Sequence, residues 1–352
     1  MSIEQELIRY GITTTLKKLY KTNNKYKRYE YLNCLERWVM SLAMDSGTVY
    51  HNTNAKDPVN QKLVSELNDK KIPRLINQIL STVKNNLSLK SPVVLQNNTR
   101  PFVDKATDRQ GWIVNIKIKN APNVRIKIPM SKQRYDVLQS YEKEPLTRMF
   151  LRYSTMINNG QQWALPHAQF KHLAEHYGVN HEGFASPLNS GILSLNTKGK
   201  FCSLFKDTDE VFGSIGSFFD QTLYTDPVDP IEEKKEEVKE QPPPKHWVVN
   251  PPFIISVMGR TTDKILRELD AASDLKVGVM VVYILPSWTD FDGYTKIQNS
   301  KFLKHVIHME KKNHFYEHMG DKKIVNSKST IFVLDTYEER KDYSNIAAPM
   351  ML

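Results

Sequence analysis

Asn250-Pro251-Pro252-Phe253 is the stretch of this sequence best suited to chemistry. It follows Val248-Val249, an apolar pair that reads as the end of a strand. Two prolines remove two backbone N–H groups and fix φ, so the strand stops at Asn250 and the chain turns stiffly. The side-chain oxygen of Asn250 and the carbonyl of Pro251 could accept hydrogen bonds from the two hydrogens of an exocyclic amine such as adenine N6. The lone pair of that amine is delocalised into the ring, which makes it a poor nucleophile. Two acceptors on its hydrogens favour a more tetrahedral nitrogen and aim the lone pair at a methyl donor. Phe253 could stack on the base. Acceptors held in place beforehand lower a barrier without any general base. The plainer alternative is a turn with a packed phenylalanine.

Two further segments sit where strands should end. Phe184-Ala185-Ser186-Pro187-Leu188-Asn189 closes a short strand, and Pro187 stiffens it. Asp207-Thr208-Asp209 and Phe212-Gly213-Ser214 follow a strand expected over Phe201 to Phe205, and the chain then leads towards another strand. Small residues after strands let backbone approach a ligand, and carboxylates there can hold ribose hydroxyls. Trp288 ends Val277 to Leu285, the most apolar run of the chain and the expected central strand. His305/His308 and His314/His318 have helical spacing but no third partner, so no metal site is expected.

The elements that must carry these groups alternate. Strands and helices interleave from about 180 to 335, with a helix over Ser256 to Ala272 and a closing strand over Thr330 to Asp335. In such α/β sheets ligands bind at strand ends. Upstream, residues 1 to 45 and 61 to 90 have helical periodicity, the first with lysines and tyrosines interleaved. Trp112 to Ile118 and Val124 to Ile128 alternate with period two around Asn120-Ala121-Pro122-Asn123, which makes a hairpin with a basic face. Ser131 reads as the N-cap of a helix running to about Lys143. Another helix covers Leu146 to Met156, with Arg148 and Arg152 on one face. Residues 225 to 245 are acidic and proline-rich and read as a disordered insertion. The last residues look like an exposed tail.

The 352 residues carry a formal net charge of +10, which points to an anionic partner, nucleic acid first. No apolar run is long enough for a membrane span, and the N-terminus lacks a secretory signal. Cys34 and Cys202 form no paired motif, which suits a reducing compartment. A cytoplasmic or nuclear location is expected, the cytoplasm preferred.

Met149-Phe150-Leu151-Arg152-Tyr153, Ala164-Leu165-Pro166, the Phe184 to Asn189 string, Asp207 to Ser214, Asn250 to Phe253, Leu285-Pro286-Ser287-Trp288 and Ser300-Lys301-Phe302 occur in an order with a family behind it. The chain closely resembles the phosphorylated-CTD-interacting-factor family of cap-specific adenosine N6-methyltransferases, from roughly Phe150 to Leu334. The resemblance implies a Rossmann-like domain binding S-adenosylmethionine, preceded by a mainly helical domain with the β-hairpin. It implies methyl transfer to N6 of the first transcribed, 2′-O-methylated adenosine beside an m7G cap. Asn250, Pro251, Pro252 and Phe253 would then be catalytic. Ala185, Ser186, Pro187, Leu188, Asn189, Asp207, Asp209, Phe212, Gly213 and Ser214 would hold the cofactor. Trp288, Lys304 and Tyr316 would hold the RNA. Trp38 is followed only by Trp112, so the paired tryptophans of a WW domain are missing and no polymerase-tail binding is expected. The compactness suggests a minimal, viral member.

The expected layout is a helical, accessory RNA-binding domain over 1–145, the methyltransferase domain over 146–340 and a tail over 341–352. Two other functions share these residues: N6 methylation of DNA or internal RNA adenines, and a non-catalytic nucleic-acid-binding subunit.

Overall fold

A computed structural model describes Ile3, Glu6, Leu7 and Tyr10 and residues 96–104, 109–117, 123–154, 162–195, 198–225, 243–339 and 341–352. The helices expected between residues 11 and 90, Cys34 and most of the acidic insertion lie outside the described residues. The chain divides into two compact units. One comprises Met1–Gln162 with Leu204–Val211, and the other comprises Trp163–Ser203 with Phe212–Leu352.

The first unit contains a three-stranded antiparallel sheet, β1 Gln96–Asp104, β2 Arg109–Lys117 and β3 Val124–Met130. β2 and β3 are the expected hairpin. β1 went unanticipated because Gln-Asn-Asn-Thr-Arg-Pro has no apolar alternation. One face of the sheet buries Trp112, Val114, Ile116 and Ile128. Trp112 packs against Tyr135 and Phe150, which come from α1 Lys132–Leu138 and α2 Lys143–Ser154. The Ser131 side chain accepts from the Arg134 N–H at 3.3 Å, so the N-cap is where the sequence put it. The helix stops short of Lys143, where the next one begins.

Arg152 does not face solvent. It is fully buried and bonds Glu6 at 2.5–3.0 Å and Asp207 at 2.9–3.1 Å. Burial alone would pull its pKa down, but the two carboxylates more than reverse this and hold it above its ordinary value.

The second unit is a mixed α/β structure built on a six-stranded mixed sheet of order β5-β4-β6-β7-β11-β8. β4 His181–Ala185, β5 Lys200–Ser203, β6 His246–Val249 and β7 Met280–Pro286 are parallel. β11 Ser329–Asp335 runs antiparallel between β7 and β8 Leu303–Met309. Every residue of β7 is buried, as its unbroken apolar run requires of a strand covered on both faces. Val281, Tyr283 and Leu285 point into one core with Ile265 and Leu269 of α4 Ile255–Asp274. Met280, Val282 and Ile284 point into the other with Phe170 and Leu173 of α3 His167–Tyr177. Gly178, left-handed at φ 66°, ends α3.

Four features depart from the expectations. Phe212 to Asp220 forms 3-10 turns rather than leading into a strand, although a single bridge ties Ser214 to Phe201. A small hairpin, β9 Phe315–His318 with β10 Asp321–Ile324, turns at Met319-Gly320, both at positive φ. His305 and His308 lie on strand β8, where a spacing of three puts them on opposite faces. The end of the chain is no exposed tail, since Tyr343, Ile346, Ala347 and Met350 are buried in the core. Among the described residues no helix is long and apolar enough to cross a membrane.

Candidate active site

The parallel strands define the site. The chain passes from β4 outward to β5, then returns to lay β6 on the other side of β4. That reversal is a topological switch point, and ligands of open α/β sheets bind beyond the carboxyl ends of the strands there. The segments at those ends in this unit are Ser186–Asn189 after β4, Asn250–Phe253 after β6 and Ser287–Trp288 after β7.

The β4 loop is built from its own polar groups. The Ser186 N–H and hydroxyl both donate to Asn189 Oδ1, at 2.7 and 2.9 Å. Leu188 N–H donates to Ser186 Oγ at 3.2 Å. Below it, buried Glu182 accepts from Ser190 Oγ at 2.8 Å and pins the start of the one-turn helix Gly191–Ser194. Glu182 is a positioning residue that sequence reasoning passed over. The signal was available, because an acid inside a short strand must have a partner.

The β6 loop is the opposite case. Asn250 Oδ1 is buried and accepts no hydrogen bond among the described residues. A buried acceptor left in this way costs about 1–3 kcal/mol, so native proteins rarely carry one without a use for it. Pro251 is buried and holds the loop, while Phe253 is 36% exposed. On the neighbouring strand Trp288 is 40% exposed, which separates its ring from the core beneath. Ser287 Oγ is tied to Thr330 Oγ1 at 2.8 Å, and Thr330 is in turn tied to the Tyr294 hydroxyl at 2.9 Å. This network fixes the end of β7 under Trp288.

Beyond β5, Ser214 Oγ meets Ser203 Oγ at 2.7 Å and Phe212 is buried. Gly213 sits at φ +95°, and a Cβ there would meet nothing within 4 Å. Its glycine is needed for the backbone turn, and the space beside it is open.

The remaining sequence candidates go elsewhere. Asp207 bonds Arg152, and fully buried Asp209 accepts from the Tyr153 and Thr208 hydroxyls, all within the first unit. Burial first, then the Asp209 charge, drives the Tyr153 hydroxyl pKa well up. Tyr316 is 2% exposed and packs against Trp163 and His314. Lys304 begins β8 beside Asp335 and Tyr337, at the amino-end edge of the sheet, away from Asn250. Neither Tyr316 nor Lys304 joins the strand-end group.

The family model described as "Phosphorylated CTD interacting factor 1 WW domain" matches residues 130–319, more than half of the chain. The chain belongs to the phosphorylated CTD interacting factor 1 family. Every strand-end segment described above falls within the matched residues. Although the description carries the words WW domain, the matched residues of this family member include β4 to β8 of the six-stranded sheet. Two curated relatives, from Mus musculus and Homo sapiens, are named mRNA (2'-O-methyladenosine-N(6)-)-methyltransferase. Each is 26% identical over 159 residues, covering 45% of this chain and 19% of the relative. The chain thus spans about a fifth of the length of the curated relatives it matches.

Proposed function

We propose that this protein is an S-adenosylmethionine-dependent methyltransferase. Its substrate is N6 of the first transcribed, 2′-O-methylated adenosine beside an m7G cap, and the mouse and human relatives are named for N6 methylation of 2′-O-methyladenosine in mRNA. The observation that carries the reading is the buried Asn250 Oδ1 at the carboxyl end of β6, without a hydrogen-bond partner among the described residues and followed by two prolines and the exposed Phe253. An amine hydrogen is the partner that this acceptor lacks. As N6 attacks, its hydrogens become more acidic, so the bonds to Asn250 Oδ1 and the Pro251 carbonyl strengthen most in the transition state. Phe253 and Trp288 offer rings for the unstacked base and its neighbour.

The cofactor reading treats the sheet as Rossmann-like and uses the same edge. Ala185, Ser186, Pro187, Leu188 and Asn189 surround the end of β4 at the switch point, and Phe212-Gly213-Ser214 supplies a backbone beside open space. These residues fit a nucleoside-bearing group, and S-adenosylmethionine would supply the electrophilic methyl when bound. Asn189 acts by shaping the loop, because its Oδ1 is already committed to Ser186. Asp207 and Asp209, the other cofactor candidates, lie in the first unit, where they bond Arg152 and Tyr153.

The decisive experiment is transfer of labelled methyl to matched RNAs that begin with adenosine, with and without m7G. Label on the capped RNA alone supports the reading. Equal labelling of uncapped RNA or DNA would move the substrate to internal adenines. No transfer, with no cofactor binding by calorimetry, would leave a non-catalytic binding protein.

A further inference from the structure

The three-stranded sheet of the first unit has a second face that no described element packs against. Register places its residues in rows across the strands. Phe102, Gly111 and Pro129 form one row, Arg100, Ile113 and Lys127 the next, then Asn98, Asn115 and Arg125, and finally Gln96 and Lys117. Successive rows are about 7 Å apart, two residues along a strand. Arg100, Lys117, Arg125 and Lys127 are exposed.

Arg100 and Lys127 flank Ile113 two strand spacings apart, about 10 Å. The face also holds a ring in place. A Cβ on Gly111 would lie 2.7 Å from Phe102 Cε1, so the phenylalanine lies across the glycine, and Lys127 Nζ is 4.5 Å from the ring centroid. Asn98 and Asn115 add amide donors and acceptors between the charges.

We propose that this face is a binding platform for single-stranded RNA, engaging the body of the transcript through its phosphates and an unpaired base. Sheets that present basic side chains around a flat aromatic bind unpaired strands by phosphate contacts and base stacking. The inference rests on the reading of the substrate as RNA.

The test uses the full chain carrying Arg100→Glu, Arg125→Glu and Lys127→Glu together, with Phe102→Ala made separately. Anisotropy with a short uncapped single-stranded RNA reads the platform, and methyl transfer to an m7G-capped dinucleotide reads the site. The triple variant is expected to lose at least tenfold in RNA affinity. Its log–log salt slope should shrink by about two, at ~0.7 per lost phosphate contact. Phe102→Ala should weaken RNA binding without changing the slope, and dinucleotide methylation should persist in both variants. A glutamine version of the triple variant, melting as the wild type does, guards against simple misfolding. RNA affinity and salt slope unchanged in the folded variants would overturn the proposal. So would a triple variant that loses affinity equally for acidic peptide and RNA while Phe102→Ala loses none, since the face would then be a general anion patch. If the wild type methylates nothing, the functional reading fails while RNA binding by the face is still measured.

Discussion

The two edges of the six-stranded sheet treat their polar groups in opposite ways. At the amino edge His246, Asn180 and Asp335 are all paired. His246 Nδ1 faces the Tyr177 carbonyl at 2.7 Å and must carry the proton, which leaves Nε2 to accept from the Tyr337 hydroxyl at 2.6 Å. Asn180 Oδ1 accepts from the His246 N–H at 3.0 Å and from His181 Nδ1 at 2.6 Å. Buried Asp335 accepts from Tyr337 N–H and the Tyr343 hydroxyl. At the carboxyl edge the Asn250 oxygen is buried without a partner among the described residues, and the rings of Phe253 and Trp288 are partly exposed. A fold held by one edge can leave the other unsatisfied, and the cost of the empty acceptor marks where a ligand completes the structure.

The comparison breaks most sharply at Asn250. Asn250→Ala should lower the single-turnover methylation rate by on the order of a hundredfold or more, the scale for losing one preorganised hydrogen-bonding group. Its melting temperature should hold or rise, because the mutation removes an unpaired buried acceptor. A normal rate would sink the amine-gripping mechanism. Phe253→Ala should come next, costing about 1–3 kcal/mol through lost stacking, read as weaker RNA binding with an unchanged melt. A destabilised protein with normal RNA affinity would make the ring a core residue instead.

The amino edge should answer in the reverse sense. Tyr337→Phe takes the donor from His246 Nε2 and should cost about 1 kcal/mol of stability in urea melts, with the rate of methyl transfer untouched. The smallest effect is expected from pH. Burial, with Lys245 and His246 nearby, pushes the His181 pKa down to about 4, and burial also lowers that of His246. The unfolded chain takes up these protons near 6.5, while the folded chain refuses them. Stability is therefore fully present above pH 6.5 and declines as pH falls towards 4. Melts of His181→Gln across that range should be flatter than those of the wild type.

Much of the site was legible because its residues break patterns. Two prolines after Val248-Val249 could only end a strand, and the unbroken run into Leu285 could only be a buried one. What was hidden depended on partners distant in sequence. Arg152 looked like one of two arginines on a helix face, and only the fold brings Glu6 and Asp207 onto it. Asp207 and Asp209 follow a strand as ribose-binding carboxylates do, yet nothing local reveals that Tyr153 and Arg152 claim them. β1 was silent because an edge strand with a proline carries no periodic signal.

One feature of the chain path constrains how this protein can be taken apart. The polypeptide leaves the second unit after Ser203, contributes Leu204–Val211 to the first and re-enters at Phe212. No single cut yields two self-sufficient halves. A fragment starting at Trp163 would still carry the excursion, its two carboxylates severed from the arginine and tyrosine that neutralise and bond them. Such a fragment would have to solvate or protonate those acids. Co-expressing residues 1–162 with the remainder is the division expected to recover a working protein, because complementation restores the borrowed loop to its owner.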